Sequence, residues 1–221
     1  MNVLAIDTST EILSIFGSSG ARTMELTRDV DLRHSEQLIP LVDWVLQQIS
    51  LKPRDLDLIV VGGGPGSFTG LRIGMAFAKG FAGGLECPYV AVSILDAYAA
   101  RYTRMFDSLI APVIDAKKQR FYTALWRKNQ RITDYLDISP EEFLELIPKD
   151  HPCILTGPHA SLLRPLLPCD TVLVDPSHRC GVGSILAGLG IERYQREGPA
   201  QDEAGPLYIR KSDAEIAKDH P

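Results

Sequence analysis

With 221 residues, 45% of them hydrophobic, the chain is long enough to bury a substantial core as one large domain or two small ones. Its 23 basic and 28 acidic residues leave a net charge of -5, which excludes a general electrostatic landing surface for a phosphate backbone and so argues against autonomous tight nucleic-acid binding. The opening MNVLAIDTST has no basic segment ahead of an apolar core, and no apolar run of about 18 residues follows, so the chain reads as cytoplasmic, unexported and without a membrane span.

Residues 3–6, 12–16 and 22–26, separated by the polar turn DTST and by Gly20, predict three short strands in a meander. Over residues 35–49 the apolar positions Leu38, Leu41, Val42, Val45 and Ile49 follow helical spacing, with Ser35 placed to cap and Pro40 placed to kink or delay the helix. Ile39, Trp44 and Leu46 widen that apolar stripe beyond one core-facing side, which leaves surface for a partner. Residues 56–61 read as a central strand covered on both faces, and they run directly into GGGPGSFTGLRIG, residues 62–74. A small-residue helix over 71–83 follows, then a strand over 89–92 and a helix from the SILD capping pattern, residues 93–96, through Arg101.

From Leu109 the string LIAPVIDAKKQRFYTALW repeats the strand, Ile-Asp, polar turn and strand of NVLAIDTSTEILSIFG, which suggests two related lobes, residues 1–105 and 106–221. KKQRFY, the nearest candidate for a basic patch, reads better as a solvated β-turn. Later elements are a helix over 140–146, strands over 153–156 and 171–174, a helix over 183–196, and an extended or frayed tail from Glu197. Cys87, Cys153, Cys169 and Cys180 match neither a metal knuckle nor a disulfide framework and read as buried thiols.

A strand, glycines and a helix start can cradle phosphate on backbone N–H groups. Here no Lys-Ser or Lys-Thr pair follows Gly66 or Gly70, and Thr69 stands where a dinucleotide fingerprint needs its third glycine. On chemistry alone a closely packed tight turn and a ligand-binding turn remain open.

GPGSFTGLRIG resembles the signature of the TsaB (YeaZ) family, and the resemblance extends to AIDTST, RHSEQLIPLV, VIDAKKQRFYTALW and PLYIRKSDAE, covering almost the whole chain and weakest over residues 128–202. It implies a two-lobed actin-like ATPase (ASKHA) α/β fold. It also implies a non-enzymatic scaffold for a TsaD-like catalytic subunit and a TsaE-like ATPase, which together transfer threonylcarbamoyl to adenosine 37 of tRNA. Homodimerisation and tRNA contact only through that complex follow from the same resemblance. The catalytic paralogue's paired metal-binding histidines correspond to Ile94 and Tyr98, neither a fit ligand.

Asp7 and Asp115 match the hairpin aspartates that approach phosphate and magnesium in the wider fold, yet both lack the DxG turn, so turn-capping is the favoured role. No resident cofactor is expected, ATP being at most weakly held or held at a partner interface. Among nucleophile readings, Ser67 reads as a backbone cap, Cys180 as a buried thiol beside His178, Thr69 as a helix cap and Arg72 as a pairing residue. Gly70, Gly74 and Ala78 share a helix face beside Phe77 and Phe81; internal packing and partner docking suit that face equally, and the resemblance favours docking, together with Leu38 and Trp44. Rival readings are a residual ATPase or kinase using both aspartates, and a glycoprotease-like metallopeptidase.

Overall fold

A computed structural model describes residues 1–31, 33–103, 105, 107–148, 151–167, 171–201, 203 and 205–210; Cys169 and His220 lie outside them. The chain runs β1 (Val3–Asp7), β2 (Ile12–Ser19), β3 (Arg22–Asp29), α1 (His34–Gln48), β4 (Leu58–Gly62), α2 (Phe68–Leu85), β5 (Tyr89–Val92) and α3 (Ile94–Thr103). It continues through β6 (Leu109–Pro112), β7 (Ile114–Lys117), β8 (Arg120–Thr123), β9 (Trp126–Arg127), β10 (Gln130–Arg131), β11 (Leu136–Ile138) and α4 (Pro140–Leu146). The last elements are β12 (Cys153–Thr156), α5 (Ala160–Leu163), β13 (Val172–Val174) and α6 (Gly183–Glu197).

The first sheet has the order β3-β2-β1-β4-β5, with the β1–β2–β3 meander antiparallel and β4 and β5 added parallel. Strand alternation divides its core cleanly. Val3, Ala5, Leu58, Val60, Val90 and Val92 face α3 and α6. Leu4, Ile6, Ile59 and Val61 face Leu38, Val42 and Val45 of α1 and Met75, Ala78 and Ala82 of α2. Doubly covered β4 is therefore apolar throughout, as its unbroken hydrophobic run predicts.

The second sheet has the order β10-β9-β6-β12-β13, and β11-β8-β7 form a third. The sequence repeat is only partly kept in space. The first hairpin stays in one sheet, whereas Pro112 has no N–H to continue a ladder and Val113 turns its N–H to the Thr156 carbonyl (2.8 Å), so β7 starts a separate sheet. Ile110, Ile154 and Trp126 pack on the same layer as Val60 and Val92, which places α3 and α6 between the two larger sheets.

The sheets fall on either side of residue 105, but α6, late in the chain, lies against the first. Its Gly190 sits directly on the Val60 side chain, where a Cβ has no room. The two halves are also joined by a polar tie. Arg101 donates to Asp175 Oδ2 (3.0 Å) and to the carbonyls of Ser177, Cys180 and Gly181, while Tyr102 Oη and Thr156 Oγ1 donate to the same carboxylate. Burial opposes ionisation of Asp175, but these hydrogen bonds, that from the Ser177 N–H and the Arg101 charge outweigh it and hold the carboxyl below its usual range.

Three local expectations change. Helix α1 starts after Arg33 without a side-chain cap, so Ser35 is not the cap. The capping box occurs at Ser139 and Glu142 on α4, whereas Asp96 of the SILD pattern accepts from Tyr135 Oη (2.9 Å). Cys180 is exposed rather than buried. Among the described residues, no helix is long and apolar enough to cross a membrane.

Candidate functional site

Between the halves lies a cleft of about 460 Å³. Its base is the start of α2 with residues 65–69, one wall is the first hairpin turn with Ser9, Thr10 and Glu11, and the opposite wall is the β7–β8 turn with Asp115, Lys117 and Lys118. His159 and residues 207–210 complete the lining.

The glycines of residues 62–74 have a local cause. The first hairpin turn docks backbone to backbone on the α2 terminus: Ser67 N–H donates to Ser9 O (2.6 Å) and Thr8 Oγ1 donates to Gly70 O (2.8 Å). A Cβ on Gly66 or Gly70 falls onto the carbonyl oxygens of Ser9 or Thr8, and one on Gly74 onto the Thr8 hydroxyl, far inside contact distance. Gly64, at φ +104°, brings the chain beneath the Leu207 carbonyl, 2.9 Å from where its Cβ would stand, and the Gly64–Pro65 peptide is cis.

These contacts correct the docking assignment for Gly70, Gly74, Ala78 and Leu38. All four are buried within the chain: Gly70 and Gly74 meet Thr8 and Val61, and Ala78 and Leu38 pack in the core that α1 and α2 share. Phe77 and Phe81 remain partly exposed as a stacked pair with centroids 4.9 Å apart, and Trp44 is exposed on neighbouring α1.

Both hairpin aspartates close Asx turns. Asp7 Oδ1 accepts from Ser9 N–H (2.9 Å) and Asp115 Oδ1 accepts from Lys117 N–H (2.7 Å). They differ in access. Asp115 lines the cleft and pairs with Lys117 Nζ at 2.9 Å, whereas Asp7 is 1% exposed beneath the hairpin and is absent from the lining. Burial raises the Asp7 carboxyl to about 6, and hydrogen bonds from Ser9 and Thr8 offset only part of the rise. The structure thus does not bring the two carboxylates onto one open surface. At the β7–β8 tip Lys117, Lys118 and Gln119 all hold left-handed φ values of 60°, 55° and 57°, a backbone rarely adopted by such residues.

Ser67, not Thr69, caps α2: its Oγ accepts from Gly70 N–H at 3.3 Å. Ser67→Ala is expected to lower stability by about 1 kcal/mol while Ser67→Asp, which also caps, retains it. Equal denaturation midpoints for wild type and Ser67→Ala would contradict the capping role. Arg72 stacks over the Phe68 ring at 4.1 Å and pairs with no carboxylate among the described residues. Ile94 and Tyr98 lie wholly inside the core. Among the described residues no three His, Cys, Asp or Glu side chains gather to hold a metal ion.

Two features of the cleft were not legible in the sequence. Glu11 meets His159 Nε2 (3.2 Å) and Arg179 (3.2 Å), and Arg179 also pairs with Asp29 (2.6 Å). The His159 hydrogen bond outweighs partial burial and holds Glu11 down at about 2. The tail is extended but docked: Ala200 N–H donates to Tyr89 O, Leu207 N–H donates to Gly63 O (2.7 Å), and Tyr208 stacks on Phe68 at 4.5 Å. Only the PLYIR string within the later motif hinted that this segment had a fixed place.

The family model for TsaD, tRNA N6-adenosine threonylcarbamoyltransferase, matches residues 28–148. The tRNA threonylcarbamoyladenosine biosynthesis protein TsaB of Bacillus subtilis (strain 168) is 34% identical over 227 residues, covering 97% of this chain and 96% of that protein. The protein of the same description from Escherichia coli (strain K12) is 32% identical over 59% of this chain and 57% of its own length. In three dimensions YeaZ from Pseudomonas aeruginosa superposes with a TM-score of 0.80 at 26% identity, covering 94% of this chain and 99% of that one. AlfA from a Bacillus subtilis plasmid, a filament structure, matches in fold at a TM-score of 0.51 and 9% identity over 87% of this chain and 98% of its own. Together with the paired mixed sheets, the fold is α/β of the actin-like ATPase type.

Proposed function

The chain belongs to the TsaB family of tRNA threonylcarbamoyladenosine biosynthesis proteins, and from that premise we propose that it serves threonylcarbamoyladenosine synthesis as a non-enzymatic scaffold docked on a TsaD-like catalytic subunit. The observation that carries the docking reading is the outer face of α1 and α2. Ile39 and Trp44 are 65% and 40% exposed, and the Phe77–Phe81 stack lies partly open on the adjacent helix. An apolar strip of aromatic side chains on two neighbouring helices is what a helical partner surface buries as its central anchor. Behind this face Ala78 and Leu38 pack in the core shared by α1 and α2, while Gly70 and Gly74 seat α2 on the first hairpin.

The scaffold reading is supported by the inaccessible Asp7 and by Ile94 and Tyr98 standing inside the core. A TsaE-like ATPase and tRNA join through the same assembly, and a second copy of this chain competes for the same face when the catalytic subunit is lacking. Trp44→Ala is expected to weaken association with a TsaD-like subunit roughly 30-fold, about 2 kcal/mol, measured by calorimetry on the purified pair. Reconstituted tRNA modification should fall in parallel, with the Trp44→Ala chain still folded by its circular dichroism. Unchanged affinity would remove α1 from the interface, and full modification without this chain would remove the scaffold role.

A further inference from the structure

Residues 205–210 link the two halves. Leu207 is pinned to the Gly63 carbonyl, Tyr208 lies on the Phe68 ring of the first half, and two residues later Arg210 grips the second half. Its guanidinium forms a fork on Asp137, Nε to Oδ2 at 2.6 Å and Nη2 to Oδ1 at 2.8 Å, and Nη1 donates to the Ala116 carbonyl at 3.1 Å. Both charged groups are mostly shielded, with side-chain exposures of 21% and 16%, so this pair is held more firmly than a surface ion pair. Arg120 shares the Asp137 carboxylate at 3.0 Å, which fixes the acceptor on β11 and β8.

The same residues 207–210 are a wall of the cleft. A segment tied to α2 at one end and to the β7–β8–β11 sheet at the other spans the gap between the halves. It has no regular secondary structure to hold it there. Its attachment therefore rests on the single Leu207–Gly63 backbone hydrogen bond and on side-chain anchors, a set of contacts that opens locally at a small fraction of global unfolding free energy.

We propose that residues 205–210 are a latch on one wall of the interlobe cleft: Arg210 on Asp137 holds that wall in place, and release of the fork lifts it away and uncovers the buried Ala116 behind it. This reading concerns the isolated chain and stands or falls independently of the partner assignment. Ala116, buried in the cleft lining and bonded through its carbonyl to Arg210, is the reporter position.

The test introduces Ala116→Cys into the full chain and follows its alkylation by a maleimide with residue-resolved mass spectrometry, using buried Cys153 as an internal control. Arg210→Ala is expected to speed modification at position 116 roughly 10- to 100-fold, the scale of a lost charge-assisted hydrogen-bond pair. Arg210→Lys, which keeps the charge without the fork, should fall between Arg210→Ala and wild type. Tyr208→Ala, which breaks the other anchor, should also accelerate it. Cys153 should keep its wild-type rate in all of these chains. The latch is overturned if neither Arg210→Ala nor Tyr208→Ala changes the rate at position 116, or if Cys153 accelerates in step with it, since that marks general loosening.

Discussion

Gly70→Ala is expected to destabilise the chain by about 3 kcal/mol or more, while Gly80→Ala, ten residues along the same helix, should stabilise it by about 0.5–1 kcal/mol. The added atom is the same methyl group in both. At Gly70 it falls onto the Thr8 carbonyl oxygen, and that atom belongs to backbone locked by the Ser67–Ser9 and Thr8–Gly70 hydrogen bonds, so the hairpin turn and the helix start must separate. At Gly80 nothing lies within 4 Å, and only the gain in helix propensity remains. For a chain of this size the first change corresponds to a fall in Tm on the order of 10 °C and the second to a rise of about 2 °C. If both variants melt together, the backbone docking of the glycine-rich segment on the first hairpin is not what those glycines serve.

Asp7→Asn is expected to stabilise the protein at neutral pH by up to about 3 kcal/mol and to abolish a specific pH dependence. Burial lifts the folded-state value from 3.8 to about 6. Below the lower value the carboxyl is protonated in both folded and unfolded chains and costs nothing. Between the two the unfolded chain gives up its proton while the folded chain keeps it, so wild-type stability falls as pH rises. Above about 6 both forms are ionised and the loss stays at its full size. Asparagine keeps the acceptor for the Ser9 N–H without the buried charge. Chemical denaturation of both chains from pH 3.5 to 8 checks this, and parallel curves would refute a buried, poorly compensated Asp7. The same pair of proteins separates a scaffold from a residual ATPase. If magnesium and ATP use Asp7, they should stabilise wild type and leave Asp7→Asn unmoved.

The parts of the fold that local chemistry controls were readable in advance. The unbroken apolar runs of β1 and β4 and the helical spacing of α1 each report burial through a few neighbouring residues. The docking face was misread for a reason of the same kind. Gly70, Gly74 and Ala78 announce that something comes close, but a spacing of four cannot say whether the visitor is a partner's helix or the chain's own Thr8, 62 residues earlier than Gly70. Thr69 and Ser67 both have the chemistry of a cap, and only the backbone angles of the turn decide between them. The Glu11–His159 and Arg101–Asp175 contacts join residues far apart in sequence, and nothing in either local string marks them as pairs. Asp7 and Asp115 looked equivalent because their neighbours are similar; their different burial comes from the packing of whole halves, which a short motif does not contain.

The position of α6 on the first sheet sets an order for making the molecule. Val3, Ala5, Leu58 and Val60 share their core with Ile94, Leu95 and Tyr98 of α3 and with Val182, Leu186 and Ala187, and the last three are made well after the strands they cover. The nascent chain thus carries part of one apolar sheet face uncovered until α6 is made. That face is fully covered only once α6, more than 100 residues past β4, has been made, so a chain cut between the two larger sheets would leave part of it open to water.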